Sequence, residues 1–270
     1  MKKGEPSSVI HFTSLEAFYG MLQPWFESAN KVKPYLNFHA TVFNKMNDLD
    51  EGCLIYNKYF TDSALKKDIK IEFEKWRENT GLPFIISFMY NQRSPEDWQT
   101  NIPMWMNYGR HGVGICLRFS FKELKTFCQN KNLIFEKCTY HSTKEIQDTV
   151  SQFNKAHKGP NGGHLDFGYL QKQMILCKSK NWSYENEWRI LKYVTEKDMK
   201  FKANSLNLIE YTNIRIPLKC LTGICVGYKL DFDSVQQSLK TILNIIKGRC
   251  GNDVEDLDKV RIVQSRLHIQ

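Results

Sequence analysis

The chain has 270 residues, room for one large domain or two small ones. Its 41% hydrophobic and 25% charged residues exclude a disordered tail, a fibre or a membrane bundle. A formal net charge of +9 admits nucleic acid or a polyphosphate as partner, although acids and apolar positions interrupt the basic residues, so a plain basic surface accounts for it equally.

In chain order, the opening M-K-K-G-E-P-S-S lacks an apolar run behind it, which predicts no secretory leader. V-I-H-F-T (9–13) reads as a strand, with His11 and Thr13 on one side and Ile10 and Phe12 on the other. T-S-L-E predicts a capping box from Thr13 to Glu16, opening a helix that Pro24 ends or kinks. Y-L-N-F-H-A-T-V-F reads as a strand, N-D-L-D-E as a turn, and Leu65, Ile69, Phe73 and Trp76 as one helix face. Strands are predicted at 84–90, carrying Ser87, and at 113–119. Between them, M-W-M-N-Y-G puts Trp105 and Tyr108 before a glycine-permissive turn, Gly109 to Gly114, able to bring backbone close to a ligand. S-F-K-E (120–123) is a second capping box.

Further helices are predicted near 143–156, 166–178 and 233–248, and strands near 133–140, 187–194, 206–217, 221–227 and 260–268. K-A-H-K-G-P-N-G-G-H (155–164) reads as a loop or small insertion. No composition shift divides residues 1–270, so a single domain is expected. The elements follow no βαβα beat, which predicts an α+β fold with largely antiparallel pairing. Eight cysteines include no C-x-x-C pair and no zinc-finger spacing to histidine, and Cys116 and Cys225 fall in apolar runs. Buried free thiols, a reducing cytoplasm, no metal centre and no membrane span are expected.

W-S-Y-E-N-E-W-R-I-L (182–191) alternates better than it fits a helical period. As a strand it puts Glu185, Glu187, Arg189 and Leu191 on one face, the two glutamates about 7 Å apart. Two readings stay open on pattern alone. One is a wet strand face with a weak surface ion pair. The other is a pair of carboxylates lining a site.

Together, I-H-F-T-S-L, L-N-F-H-A-T-V-F-N-K-M-N-D-L-D-E, M-W-M-N-Y-G-R-H-G-V-G-I-C-L-R-F and K-S-K-N-W-S-Y-E-N-E-W-R-I resemble a bacterial family catalogued as a domain of unknown function. N-K-M-N-D-L-D-E departs from the shorter N-D-P-x-E expected there, which leaves Asn44 or Asn47 as the matching position. The layout in turn is similar to that of ADP-ribosyltransferases, which hold NAD in a split, largely antiparallel mixed sheet flanked by helices. That resemblance implies NAD as the substrate. It implies Glu187 as catalytic carboxylate and Glu185 as a helper that orients the acceptor. Tyr108 would stack the nicotinamide, His11 and Thr13 would bind the nucleotide, Ser87 would buttress the pocket, and Arg189 would hold a glutamate or reach a phosphate. The resemblance further implies a nucleic-acid or protein acceptor, in a toxin or phage-defence setting.

Three other classes compete. A metal-dependent nuclease would draw on Asp48, Glu51, Glu185 and Glu187, although no D…E-x-K run is present. A non-enzymatic nucleic-acid-binding module would use the basic residues, although no helix-turn-helix, finger or RNP-like pattern supports it. A cysteine nucleophile has one candidate, Cys177.

Overall fold

A computed structural model describes residues 5–28, 33–43, 70–72, 74–75, 81–90, 97–142, 144–148, 167–203, 208–250 and 257–267. The N-D-L-D-E turn with Asp48 and Glu51, the helix face of Leu65, Ile69, Phe73 and Trp76, and the 155–164 loop lie outside them. The architecture is α+β, with largely antiparallel pairing and flanking helices. The described residues group into two compact units, 1–38, 87–133 and 213–270 in one, 39–86 and 134–212 in the other.

The first unit is built on β1 (Ser8–Thr13), β4 (Ile115–Ser120), β11 (Leu221–Val226) and β12 (Arg261–Gln264). β1 pairs antiparallel with β4 and β4 with β11, while β11 and β12 run parallel. The end of β3 (Leu82–Met89) joins on, with Met89 opposite Ile10. Alternation sorts the side chains. Ile10, Phe12, Cys116 and Cys225 enter a cluster with Trp98, Met104, Trp105 and Leu267 on one face. On the other face Phe38, Phe88 and Phe119 pack edge to face.

Helices α1 (Leu15–Phe26), α2 (Ile102–Asn107), α3 (Phe121–Asn130) and α5 (Phe232–Cys250) flank this sheet. Two expectations about their ends need correcting. The cap of α1 is Ser14, whose side chain accepts from Ala17 N at 3.0 Å, in place of Thr13. Thr13 is the last paired residue of β1, opposite Ile115, so capping passes to the next position. Pro24 lies inside α1, and Glu27 N still bonds Gln23 O at 3.0 Å. The helix therefore does not stop at the proline but runs two residues further, to Phe26. Ser120 does cap α3, accepting from Glu123 N.

The second unit contains β5 (Ile134–Lys137), β6 (Thr139–His141), α4 (Phe167–Leu176), β7 (Cys177–Ser179), β8 (Glu187–Val194) and β9 (Lys200–Ala203). The ends of β2 (Tyr35–Val42) and β10 (Leu208–Pro217) that fall within it complete the set. β5 pairs antiparallel with β8, β9 with β10, and β2 with the start of β3. β6 and β7 form a separate parallel ribbon. Ile85, Cys138, Ile175, Leu176 and Leu191 make its core. Gly81 (φ +86°) sits against the Val194 carbonyl, too close for a side chain. Helix α4 ends at Leu176, two residues before the predicted boundary, and the chain goes straight into β7.

Candidate functional site

Lys178 lies at the middle of β7, in register with Tyr140 on β6. Ser179 then caps a 3₁₀ segment, Lys180–Glu185, where a continuous strand was predicted from 182. Asn186 ends it in the left-handed region (φ 44°, ψ 51°), a conformation asparagine tolerates better than most residues. Strand β8 begins only at Glu187. This corrects the single-strand expectation for 182–191: the αL residue breaks the alternation between the two glutamates.

The break turns both glutamates onto Lys178. Its Nζ donates to Glu185 Oε2 at 2.6 Å and to Glu187 Oε2 at 2.8 Å. Arg189, two residues along β8 on the same side, donates from Nε to Glu187 Oε1 at 2.8 Å and from Nη2 to Glu187 Oε2 at 3.0 Å. This is the two-pronged fork that guanidinium geometry favours. Its Nη1 donates to the Ile175 carbonyl near the end of α4, where the helix dipole is negative. The side chains of Glu185, Glu187 and Arg189 are 1%, 2% and 0% exposed, so the wet-face reading does not hold. Burial opposes the Lys178 ammonium, but Glu187 and Glu185 outweigh it and hold its pKa above the ordinary lysine value. The indole of Trp182 adds a cation–π face 5.5 Å from the same Nζ.

Backbone and neighbours complete the cluster. Glu187 N donates to Tyr140 Oη at 2.7 Å, and the Glu187 carbonyl accepts from Cys138 N at 2.8 Å. Burial foremost pushes the Tyr140 hydroxyl up. Burial, then the Glu187 charge, pushes the Cys138 thiol well up. Cys177 is pushed up to about 11 by burial, so it carries no thiolate near neutral pH and does not suit nucleophilic attack. Among the described residues no three His, Cys, Asp or Glu side chains are grouped to hold a metal ion.

The remaining predicted residues lie in the first unit. His11 Nδ1 is 2.9 Å from the Ser87 carbonyl, which only accepts, so Nδ1 carries the proton and Nε2 is the acceptor. Its ring packs between Phe38 and Phe88, and burial holds its pKa below the ordinary value despite the Ser87 bond. Ser87 Oγ is buried without a hydrogen-bond partner among the described residues. Thr13 closes β1 on the same side as His11. Tyr108 caps the end of α2 and packs against the Phe12–Trp105 cluster, which takes the opposite face of β1 from His11.

The turn after Tyr108 is tightly built. Arg110 (φ 48°), His111 (φ 54°) and Gly112 (φ +89°) are three consecutive left-handed residues, two of them outside glycine's tolerance. Gly227 N bonds Gly114 O at 2.9 Å and Lys229 N bonds Gly112 O at 3.1 Å, which ties the turn to the end of β11.

Geometry thus brings together Glu185, Glu187 and Arg189 in one unit, and His11, Thr13 and Ser87 in the other. Sequence reasoning passed over Lys178 and Tyr140. The lysine had a signal, as the first residue of K-x-x-x-W-x-x-E-x-E-W-R. Tyr140, 47 positions from Glu187, had none.

Residues 104–190 match the family described as protein of unknown function, DUF2971. No curated protein matches the chain. Among solved structures, the DarT of Thermus sp. 2.9 in complex with ADP-ribosylated ssDNA aligns with 90% of this chain and 93% of its own, at 12% identity and a TM-score of 0.33. No helix among the described residues is long and apolar enough to cross a membrane.

Proposed function

We propose that this chain cleaves NAD at the nicotinamide–ribose bond, as an ADP-ribosyltransferase or NAD glycohydrolase acting in the cytoplasm on nucleic acid or protein, in a toxin or phage-defence setting. The observation that carries this is the held carboxylate. Glu187 is gripped on both oxygens by Arg189 and on one by Lys178, which fixes its direction. Departure of neutral nicotinamide takes the C1′–N electron pair and leaves an oxocarbenium-like ribose. A fixed anion stabilises that charge without reorganising at the moment of reaction. Glu187 fills this role and Glu185 orients the nucleophile that bonds to C1′. His11 and Thr13 bind the nucleotide and Ser87 buttresses that pocket; Tyr108, on the opposite face of β1 from His11, is not part of this set. The neutral His11 and the Ser87 Oγ, which has no partner among the described residues, support this, as groups able to hydrogen-bond a ribose or diphosphate. Arg189 is a positioning residue for Glu187.

A metal-dependent nuclease fits the cluster less well. Lys178 and Arg189 already offset the charges of Glu185 and Glu187, so the acids present no net charge to a divalent cation. The closure of the cluster favours a second reading, in which it is a structural pin and the chain is a binding module. NAD turnover separates the two. Nicotinamide release is followed by chromatography with and without single-stranded DNA or cell extract, in EDTA. Wild type is expected to release nicotinamide, and Glu187→Gln, verified as folded by circular dichroism, to lose about 100-fold or more. Folded wild type that turns over no NAD under any of these conditions overturns the enzymatic reading.

A further inference from the structure

The β9–β10 edge of the second unit carries a surface outside the acid cluster. In this antiparallel pair Tyr211 lies opposite Lys200, and Ile209 opposite Lys202. Strand alternation therefore projects Lys200, Lys202 and Tyr211 from one side. His39, exposed on β2, lies against Tyr211 with ring centroids 4.3 Å apart and planes 38° from parallel. Lys202 Nζ stands 5.7 Å from the Tyr211 centroid. β9 ends the strand order, so no further described strand pairs beyond it. Partial shielding, then the two ammonium groups, hold the His39 pKa below its ordinary value, so the outer ring is neutral at physiological pH. Glu210 sits opposite Phe201 on the other side of the pair, and Glu196 and Asp198 belong to the turn before β9.

A flat neutral ring on an aromatic support, flanked by two cations, offers stacking and charge together. Single-stranded nucleic acid supplies both complements, a bare base face and a phosphate at each step. A duplex hides its base faces, and an acidic peptide has no ring to stack. We infer that this face binds single-stranded nucleic acid, with phosphates on Lys200 and Lys202 and a base on His39 backed by Tyr211. The chain's +9 charge is compatible with the same class of partner.

The test is fluorescence anisotropy with labelled oligo-dT and oligo-U, a duplex of equal length, and poly-glutamate, over a salt series without NAD. Because no NAD is present, the result stands or falls apart from the enzymatic reading. Both single strands, or either one, are expected to bind more tightly than the duplex and the peptide. Lys200→Ala/Lys202→Ala is expected to reduce the slope of log K against log salt by about 1.4, at about 0.7 per phosphate contact on a single strand. His39→Ala is expected to weaken binding about tenfold with the slope unchanged. Failure of folded wild type to bind, equal binding of duplex or poly-glutamate, or indifference to both variants overturns the inference.

Discussion

Replacing Lys178 by methionine keeps the length of the side chain and deletes its charge. Two short charge-assisted bonds go with it, to Glu185 at 2.6 Å and Glu187 at 2.8 Å, in a place where water cannot substitute. The cluster passes from two acids against two bases to two acids against Arg189 alone. Breaking a buried pair by removing one partner costs about 3–5 kcal/mol, and for a chain of this size that lowers Tm by roughly 8 °C. The loss should depend on pH. Without the ammonium, one carboxylate relieves the excess charge by taking a proton, so its folded pKa rises above the ordinary value near about 4.3. A raised folded pKa contributes stability present below the unfolded pKa and lost as pH rises through the folded one. The variant should therefore lie nearer wild type at acid pH and furthest below it at neutral pH. Paired melts of both proteins across that range measure this, and Lys178→Met/Glu185→Gln should recover part of the loss by restoring charge balance. A deficit under about 1 kcal/mol with no pH dependence is the behaviour of an exposed pair, and would refute the argument.

Stability should fall steeply as pH rises through the range of unfolded thiols. Burial raises Cys116, Cys138 and Cys225, holds Cys128 and Cys220 up to about 12 and Cys177 up to about 11. Such groups favour folding fully below their unfolded pKa near about 8.5 and cost about 1.4 kcal/mol each per pH unit above it, so a Tm unchanged from pH 7.5 to 10 would contradict the burial. In the native state a thiol reagent should leave these six unmodified, the remaining candidates being Cys250, part-buried, and Cys53. Gly112→Ala should destabilise by about 1–3 kcal/mol in urea titration, because φ is +89° and a methyl group there runs into the Tyr228 ring. Ser120→Ala should cost about 1 kcal/mol by losing the α3 cap, visible as a lower urea midpoint at unchanged slope.

Local pattern was enough for much of the fold. The apolar runs around Cys116 and Cys225 read as strands, and β4 and β11 lie there as direct partners, Cys116 opposite Cys225. Strand β8 runs over 187–194 as periodicity placed it. S-F-K-E located the start of α3, because a side-chain cap is satisfied within one turn of chain. Irregular joints were harder to read. Asn186 in the left-handed region and the helix-to-strand passage at Leu176–Cys177 cut across otherwise good periods. In both places the backbone is set by what the flanking side chains must reach. Sequence by itself placed two glutamates and an arginine within five residues and left open whether they met water. Only the tertiary structure decided that they are buried. The cation that makes their burial tolerable comes from β7, and the hydroxyl that accepts from Glu187 N comes from β6. Spacing encodes which face a side chain takes, whereas the partner that offsets a buried charge arrives from another strand.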